Sequence, residues 1–121
     1  MIKGGNATIF VTDFEKSLNF YTKTLGLPLG FRAGNDWAEV SAGSMTLGIH
    51  PEGDNTPEAG SPGSIEVGLH VSEPLDGVVN RLRGQGVIFD GPIVEDESVR
   101  LAPFRDPDGN SLYLFEPRNG H

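Results

Sequence analysis

The chain repeats itself at an offset of 60 residues. Val11, Thr12, Asp13, Leu18, Gly26 and Leu27 are matched, in order and in chemical type, by Val71, Ser72, Glu73, Val78, Gly86 and Val87. These positions mark the end of a strand, the start of a helix, its buried side and its end. Six matches at one offset make the chain two copies of one supersecondary unit. That constraint outweighs any local propensity, because each copy must reproduce the same order of elements.

In the first copy Ala7, Ile9 and Val11 alternate with Asn6, Thr8 and Phe10, the period of a strand. Thr12 and Glu15 have capping-box spacing and predict a helix start there. Phe14, Leu18, Tyr21 and Leu25 form one apolar stripe, and Gly26 stands where a left-handed cap ends a helix. Strands are expected over residues 29–33, 37–41 and 45–50, separated by Gly34-Asn35-Asp36 and Ala42-Gly43-Ser44. Residues 51–64 carry prolines and glycines with almost nothing to bury, and read as a linker or exposed loop. The second copy repeats the order: a strand over 65–71, a helix opened by Ser72-Glu73-Pro74 with proline in its first turn, a stripe of Leu75, Val78, Val79 and Leu82, and Gly86 at its end. Strands follow near 87–89, 99–104 and 112–115. The expected fold class is therefore α+β: two tandem βαβββ units in one domain of residues 1–121, unit 1 over about 5–50 and unit 2 over about 65–117.

At 121 residues, with 36% apolar and 21% charged residues, the chain suits one globular domain. Its net charge of −8 argues against nucleic acid as a partner, since phosphate binding needs clustered Lys and Arg. No apolar run is long enough to span a bilayer, and the N-terminal stretch lacks the apolar core of a secretion signal. There is no cysteine, which removes disulfides, thiolate metal sites and thiol nucleophiles together. A cytoplasmic location is expected.

Two stretches, FEKSLNFYTKTLGL and RDPDGNSLYLFEP, within two βαβββ units, make the chain resemble the glyoxalase, bleomycin-resistance protein and extradiol dioxygenase superfamily, the vicinal oxygen chelate proteins. The resemblance runs from about Asn6 to Pro117. It implies that each unit curls a mixed sheet around a half-cleft with helices outside, and that two chains form a homodimer. One fold of this kind hosts many chemistries.

Strand alternation then assigns faces. The apolar set faces the helices: Ala7, Ile9, Val11, Leu47, Ile49, Ile65, Val67, Leu69, Leu112 and Leu114. The opposite set lines the cleft. From unit 1 it supplies Asn6, Phe10, Trp37, Glu39 and His50; from unit 2, Glu66, Arg100, Phe104, Tyr113 and Phe115, with His70 near a strand end. A lining that mixes aromatic, acidic and imidazole groups suits a small molecule.

Metal-dependent members of the superfamily hold one divalent ion with His, Gln or Glu from the first and last strands of each unit. The matching positions here are Asn6, Gly48, Glu66 and Tyr113. Glu66 ligates well, Asn6 is a weak neutral donor, Gly48 has no side chain, and Tyr113 ligates only after losing its phenolic proton. The usual metal is therefore not expected, and no cofactor is implied; His50 with Glu66 is the best pair for a shifted ion. No catalytic residue is assigned, and in an enzyme Glu66 and His50 would be the acid/base candidates. Two readings stand. One is a metal-free binding module that sequesters an aromatic or cationic compound, such as an antibiotic. The other is a lyase, isomerase or dioxygenase with a non-standard metal or metal-free acid/base chemistry, in which Arg100 would hold an anionic substrate.

Overall fold

A computed structural model describes residues 6–61 and 66–118. Unit 1 comprises β1 (Asn6–Val11), α1 (Phe14–Asn19) continued by a π-helical segment (Phe20–Thr24), β2 (Leu29–Ala33), β3 (Trp37–Ala42) and β4 (Met45–Pro51). Unit 2 comprises β5 (Glu66–His70), α2 (Leu75–Gly84), β6 (Val94–Glu95), β7 (Val99–Arg105) and β8 (Ser111–Pro117). The strands form two four-stranded sheets, ordered β1-β4-β3-β2 and β5-β8-β7-β6. In each the first strand lies parallel to the last, β1 on β4 and β5 on β8, while the other neighbours are antiparallel. A parallel return needs a long connection, and the helix and hairpin strands of each unit supply it. The result is the α+β tandem βαβββ arrangement expected from the repeat, with each sheet mixed and neither closed into a barrel.

Cross-strand register explains which side is buried. Ala7 lies opposite Leu47 and Ile9 opposite Ile49, and Val40 and Ala38 face the same two residues from β3. In unit 2, Val67 pairs with Leu112 and Leu69 with Leu114. These side chains join Phe14 and Leu18 of α1, Tyr21 of the π-helical segment and Leu75, Val78, Val79 and Leu82 of α2 in one core shared by both units. Ile65 and its place in the strand lie outside the described residues.

Local details differ from the sequence reading in four places. Asp13, not Thr12, caps α1: its carboxylate accepts from the Lys16 amide at 3.1 Å. Thr12 is diverted, since both its amide and its hydroxyl donate to Asp108. Pro74 precedes α2 rather than sitting in its first turn. The Leu75 amide donates instead to Glu116 Oε2 on β8 at 2.9 Å. Residues 87–89 make only an isolated bridge, Phe89 to Phe104. Gly91 turns the chain at φ 104°, Pro92 lacks an amide donor, and β6 then takes the outer edge of the sheet.

The fourth difference concerns β7. Arg100 and Phe104 do not face the cleft. Phe104 is fully buried in the shared core, opposite Leu112. Arg100 pairs with Asp76 of α2, Glu95 and Glu116. Antiparallel register with β8 puts Leu101 opposite Phe115 and Pro103 opposite Tyr113, so those two residues take the positions expected of Arg100 and Phe104. The sequence VRLAPF is apolar at both parities, so alternation alone does not orient it.

The units are tied by the RDPDGN turn between β7 and β8. Tyr21 of the π-helical segment donates to Asp106 Oδ2 at 2.7 Å, and Asn110 Nδ2 donates to the Phe10 carbonyl at 3.2 Å. Asn110 Oδ1 accepts from the Gly60 amide, so part of the expected linker is seated against this turn.

Candidate functional site

Five of the expected pocket residues gather on the open face of the first sheet. The Trp37 indole spans from β3 onto β4 and lies over Gly48. A Cβ added to Gly48 would collide with its Cη2 atom. The bare backbone at 48 is thus what lets the ring lie against the sheet. Trp37 Nε1 donates to Glu39 Oε2 at 2.8 Å, which fixes the indole and leaves the other carboxylate oxygen for a ligand. His50 stands beside it, with ring centroids 6.2 Å from Trp37 and 5.4 Å from Phe10. His50 Nδ1 lies 2.6 Å from the Pro51 carbonyl. A carbonyl only accepts, so Nδ1 carries the proton and Nε2 is turned to other partners. Asn6, exposed at the strand start, accepts from Thr8 Oγ1.

The second sheet repeats the device with different residues. Tyr113 on β8 lies over Gly68 on β5, where an added Cβ would collide with the phenol carbon Cζ. Tyr113 and Phe115 have centroids 6.0 Å apart, and Phe115 stacks on His70 at 4.9 Å. Glu66 is exposed at the start of β5. With Leu101, Pro103 and Tyr113 it borders a small hollow of about 150 Å³. Among the described residues no hydrogen bond or ring contact joins the Trp37 group to the Tyr113 group. The expected pocket residues that face outward thus fall into two groups, one on each sheet, called half-sites below. Sequence reading missed Leu101 and Pro103; pairing Arg100 with Glu116 across β7 and β8 would have found them, since oppositely charged neighbours share a face.

The four positions equivalent to the superfamily's metal ligands fit an ion poorly. Where the second ligand would stand, the Trp37 indole fills the space above Gly48. Where the fourth would stand, the Tyr113 phenol is laid over Gly68. Among the described residues no three His, Asp or Glu side chains cluster as metal ligands do. His50 and Glu66 lie on different sheets and make no contact with each other.

Two sheets of βαβββ topology, each with an aromatic ring laid over a glycine on its open face, define a tandem-repeat α+β protein. The superfamily follows directly. The model of the Glyoxalase/Bleomycin resistance protein/Dioxygenase superfamily matches residues 5–114, and the chain belongs to that family. An uncharacterized protein of Mycolicibacterium smegmatis is 30% identical over 106 residues, covering 87% of this chain and 85% of the relative. Among solved structures, TnmS3, an antibiotic-binding protein from Streptomyces sp. CB03234, is 29% identical with a TM-score of 0.78, and covers 97% of each chain. A superfamily member from Sphaerobacter thermophilus is 26% identical with a TM-score of 0.80, and the match covers 96% of this chain and 98% of that one.

Proposed function

We propose that this protein is a small-molecule-binding member of its superfamily that works without the usual metal and sequesters an aromatic or cationic compound such as an antibiotic. The observation that carries this reading is the Trp37 indole, laid over Gly48 and held by Glu39. A planar ring stacks on such a plate, a cation gains both the ring face and the adjacent carboxylate, and His50 Nε2 accepts a hydrogen bond. Tyr113, Phe115 and Glu66 offer similar chemistry on unit 2. Sequestration requires no stabilised transition state, so replacing the metal ligands by Gly48 and Tyr113 costs it nothing. The likeness to an antibiotic-binding protein at 29% identity supports the same reading.

The protein acts as a homodimer on this reading. The edge strand β2 is exposed along its whole length. It presents Leu29 and Phe31 with 48% and 54% of their surfaces accessible, an unprotected edge that a second copy would cover. Among the described residues no helix is long and apolar enough to cross a membrane; a cytoplasmic location is part of the proposal and rests on the absence of cysteine in the sequence.

The test begins with metal content. Untagged protein purified without chelator should carry far less than one transition-metal ion per chain. Cationic polyaromatic compounds should raise its melting temperature by mass action, and Trp37→Ala and Glu39→Gln should each remove that rise. Sedimentation should give a dimer that Phe31→Lys dissociates. Stoichiometric metal that is lost in His50→Ala would replace sequestration by the reading of a lyase, isomerase or dioxygenase with a non-standard metal site.

A further inference from the structure

A hollow between the two units shares Gly68, His70 and Phe115 with the Tyr113 group and no residue with the Trp37 group. Its volume is about 640 Å³, within the range of small-molecule sites. One wall is the β3–β4 turn of unit 1, with Ala42, Ser44 and Met45; the other is the end of β5 against β8. On that second wall the His70 imidazole lies on Phe115 with centroids 4.9 Å apart and planes only 20° apart. The stacked pair forms one aromatic wall of a lining that also contains apolar Met45 and Leu27. Gly43 and Gly68 leave bare backbone in the lining.

The chemistry of the lining differs from that of the Trp37 face. Among the described residues no carboxylate lines this hollow, although the chain as a whole carries a net charge of −8. Its titratable side chain is His70, which makes no hydrogen bond or ion pair with any described residue and is held by stacking alone. A second hollow of about 330 Å³ continues past His70, sharing Leu27 and Leu69 with the first. It brings in both Arg81 and Glu73, which are paired with each other at 3.4 Å across an exposed surface. Such an exposed pair is weak and yields to a competing anion. Flat apolar walls, an imidazole with free nitrogens and a guanidinium beyond it match a ring system that carries a negative group.

From these features we infer that the junction of the two units is a second binding site, specific for planar aromatic carboxylates. The rings lie between the apolar walls beside the His70–Phe115 pair, and the carboxylate accepts from an N–H at the edge of the imidazole, at the mouth of the Arg81 hollow. The inference does not rest on sequestration at the Trp37 face, where Glu39 favours the opposite charge.

The experiment is an amide-resolved NMR titration of the full chain with 2-naphthoate, and with 2-naphthylmethylammonium as the ring of opposite charge. The naphthoate should shift the amides of Gly43 and Gly68 saturably and leave the Trp37 indole N–H unmoved. His70→Leu preserves an apolar wall but removes the donor, and should weaken naphthoate by on the order of 10-fold, the worth of one hydrogen bond to a charged group. Ser44→Phe, from an exposed turn, should fill the mouth and abolish binding; dispersed spectra of both variants verify their folds. Shifts at the Trp37 indole with Gly43 and Gly68 unmoved would overturn this site while leaving the Trp37 reading intact. Equal affinity for the ammonium compound, or unchanged affinity in His70→Leu, would overturn the assigned chemistry. Absence of any saturable shift with naphthoate would overturn the site and would leave sequestration to its own metal and ligand tests.

Discussion

At the scale of single residues, function turns on what glycine permits. Gly48 and Gly68 occupy the strands that pair with β3 and β8, and each is covered by an aromatic ring that a methyl group would displace. Neither glycine is needed for its dihedral angle, since neither has a positive φ; each is needed for absence of a side chain. Gly48→Ala therefore forces the Trp37 indole off the sheet and breaks its bond to Glu39. Overpacking of this kind costs about 1–3 kcal/mol. Denaturant unfolding should show that loss, and tryptophan emission should move to longer wavelength as the ring enters water. In Gly48→Ala combined with Trp37→Ala, the methyl group has room, so the two losses should not add. Strict additivity would mean that the ring does not rest on Gly48, and the aromatic plate would have to be abandoned.

At the scale of elements, the start of α2 depends on residues distant in sequence. Pro74 offers no side-chain cap, so Glu116 of β8 accepts from the Leu75 amide while also pairing with Arg100. Arg100 in turn bonds Asp76 in the first turn of the same helix. These bonds to Arg100 hold the Asp76 carboxyl below its ordinary value of 3.8. A depressed carboxyl contributes stability that is present above the unfolded pKa and lost as pH falls through the lower folded one. In Arg100→Met the Asp76 titration, followed by carboxyl-carbon NMR, should return to the ordinary aspartate range; a midpoint that stays low would show that Arg100 is not its cause. Glu116→Ala should cost about 1 kcal/mol, as for loss of a helix cap, with part restored by Glu116→Gln. These elements also show what sequence could carry. The 60-residue repeat located both helices and most strands, and alternation oriented β1, β3, β4, β5 and β8 because the aliphatic residues of each keep to one parity. It misdirected β7, where Leu101 and Phe104 compete for the core. It also put Thr12 in the cap of α1, because the aspartate that diverts Thr12 lies 96 residues away. The half-site residues Trp37, Glu39, His50 and Tyr113 were legible for the same reason as the core: a polar or aromatic residue between buried aliphatics must face outward. Whether two such faces share one pocket depends on how the units dock, which alternation does not encode.

At the scale of the whole molecule, the docking of the units rests on the Asp106–Asn110 turn. Asp106 is buried. Its carboxylate accepts from Tyr21 in unit 1 and from the amides of Asp108 and Asn110 and the Asn110 side chain within the turn. Every donor has a purpose, because a buried carboxylate short of partners is costly. Tyr21→Phe keeps the ring in the core and deletes the single bond to Asp106 that crosses between units. The expected loss is about 1–3 kcal/mol at neutral pH. Its pH dependence identifies the cause. Burial, and then the Asp106 charge, raise the Tyr21 phenol well above its ordinary value of 10.0. A raised phenol contributes stability in full below the unfolded pKa, and that contribution declines once the unfolded chain ionises. The stability gap between wild type and Tyr21→Phe should therefore stay constant from neutral pH to about 10 and shrink above it. Chemical unfolding at a series of alkaline pH values measures this gap directly. A gap that persists unchanged well above 10 would mean that Tyr21 ionises alike in the folded and unfolded chains, and its bond to Asp106 would not be the cause of the loss.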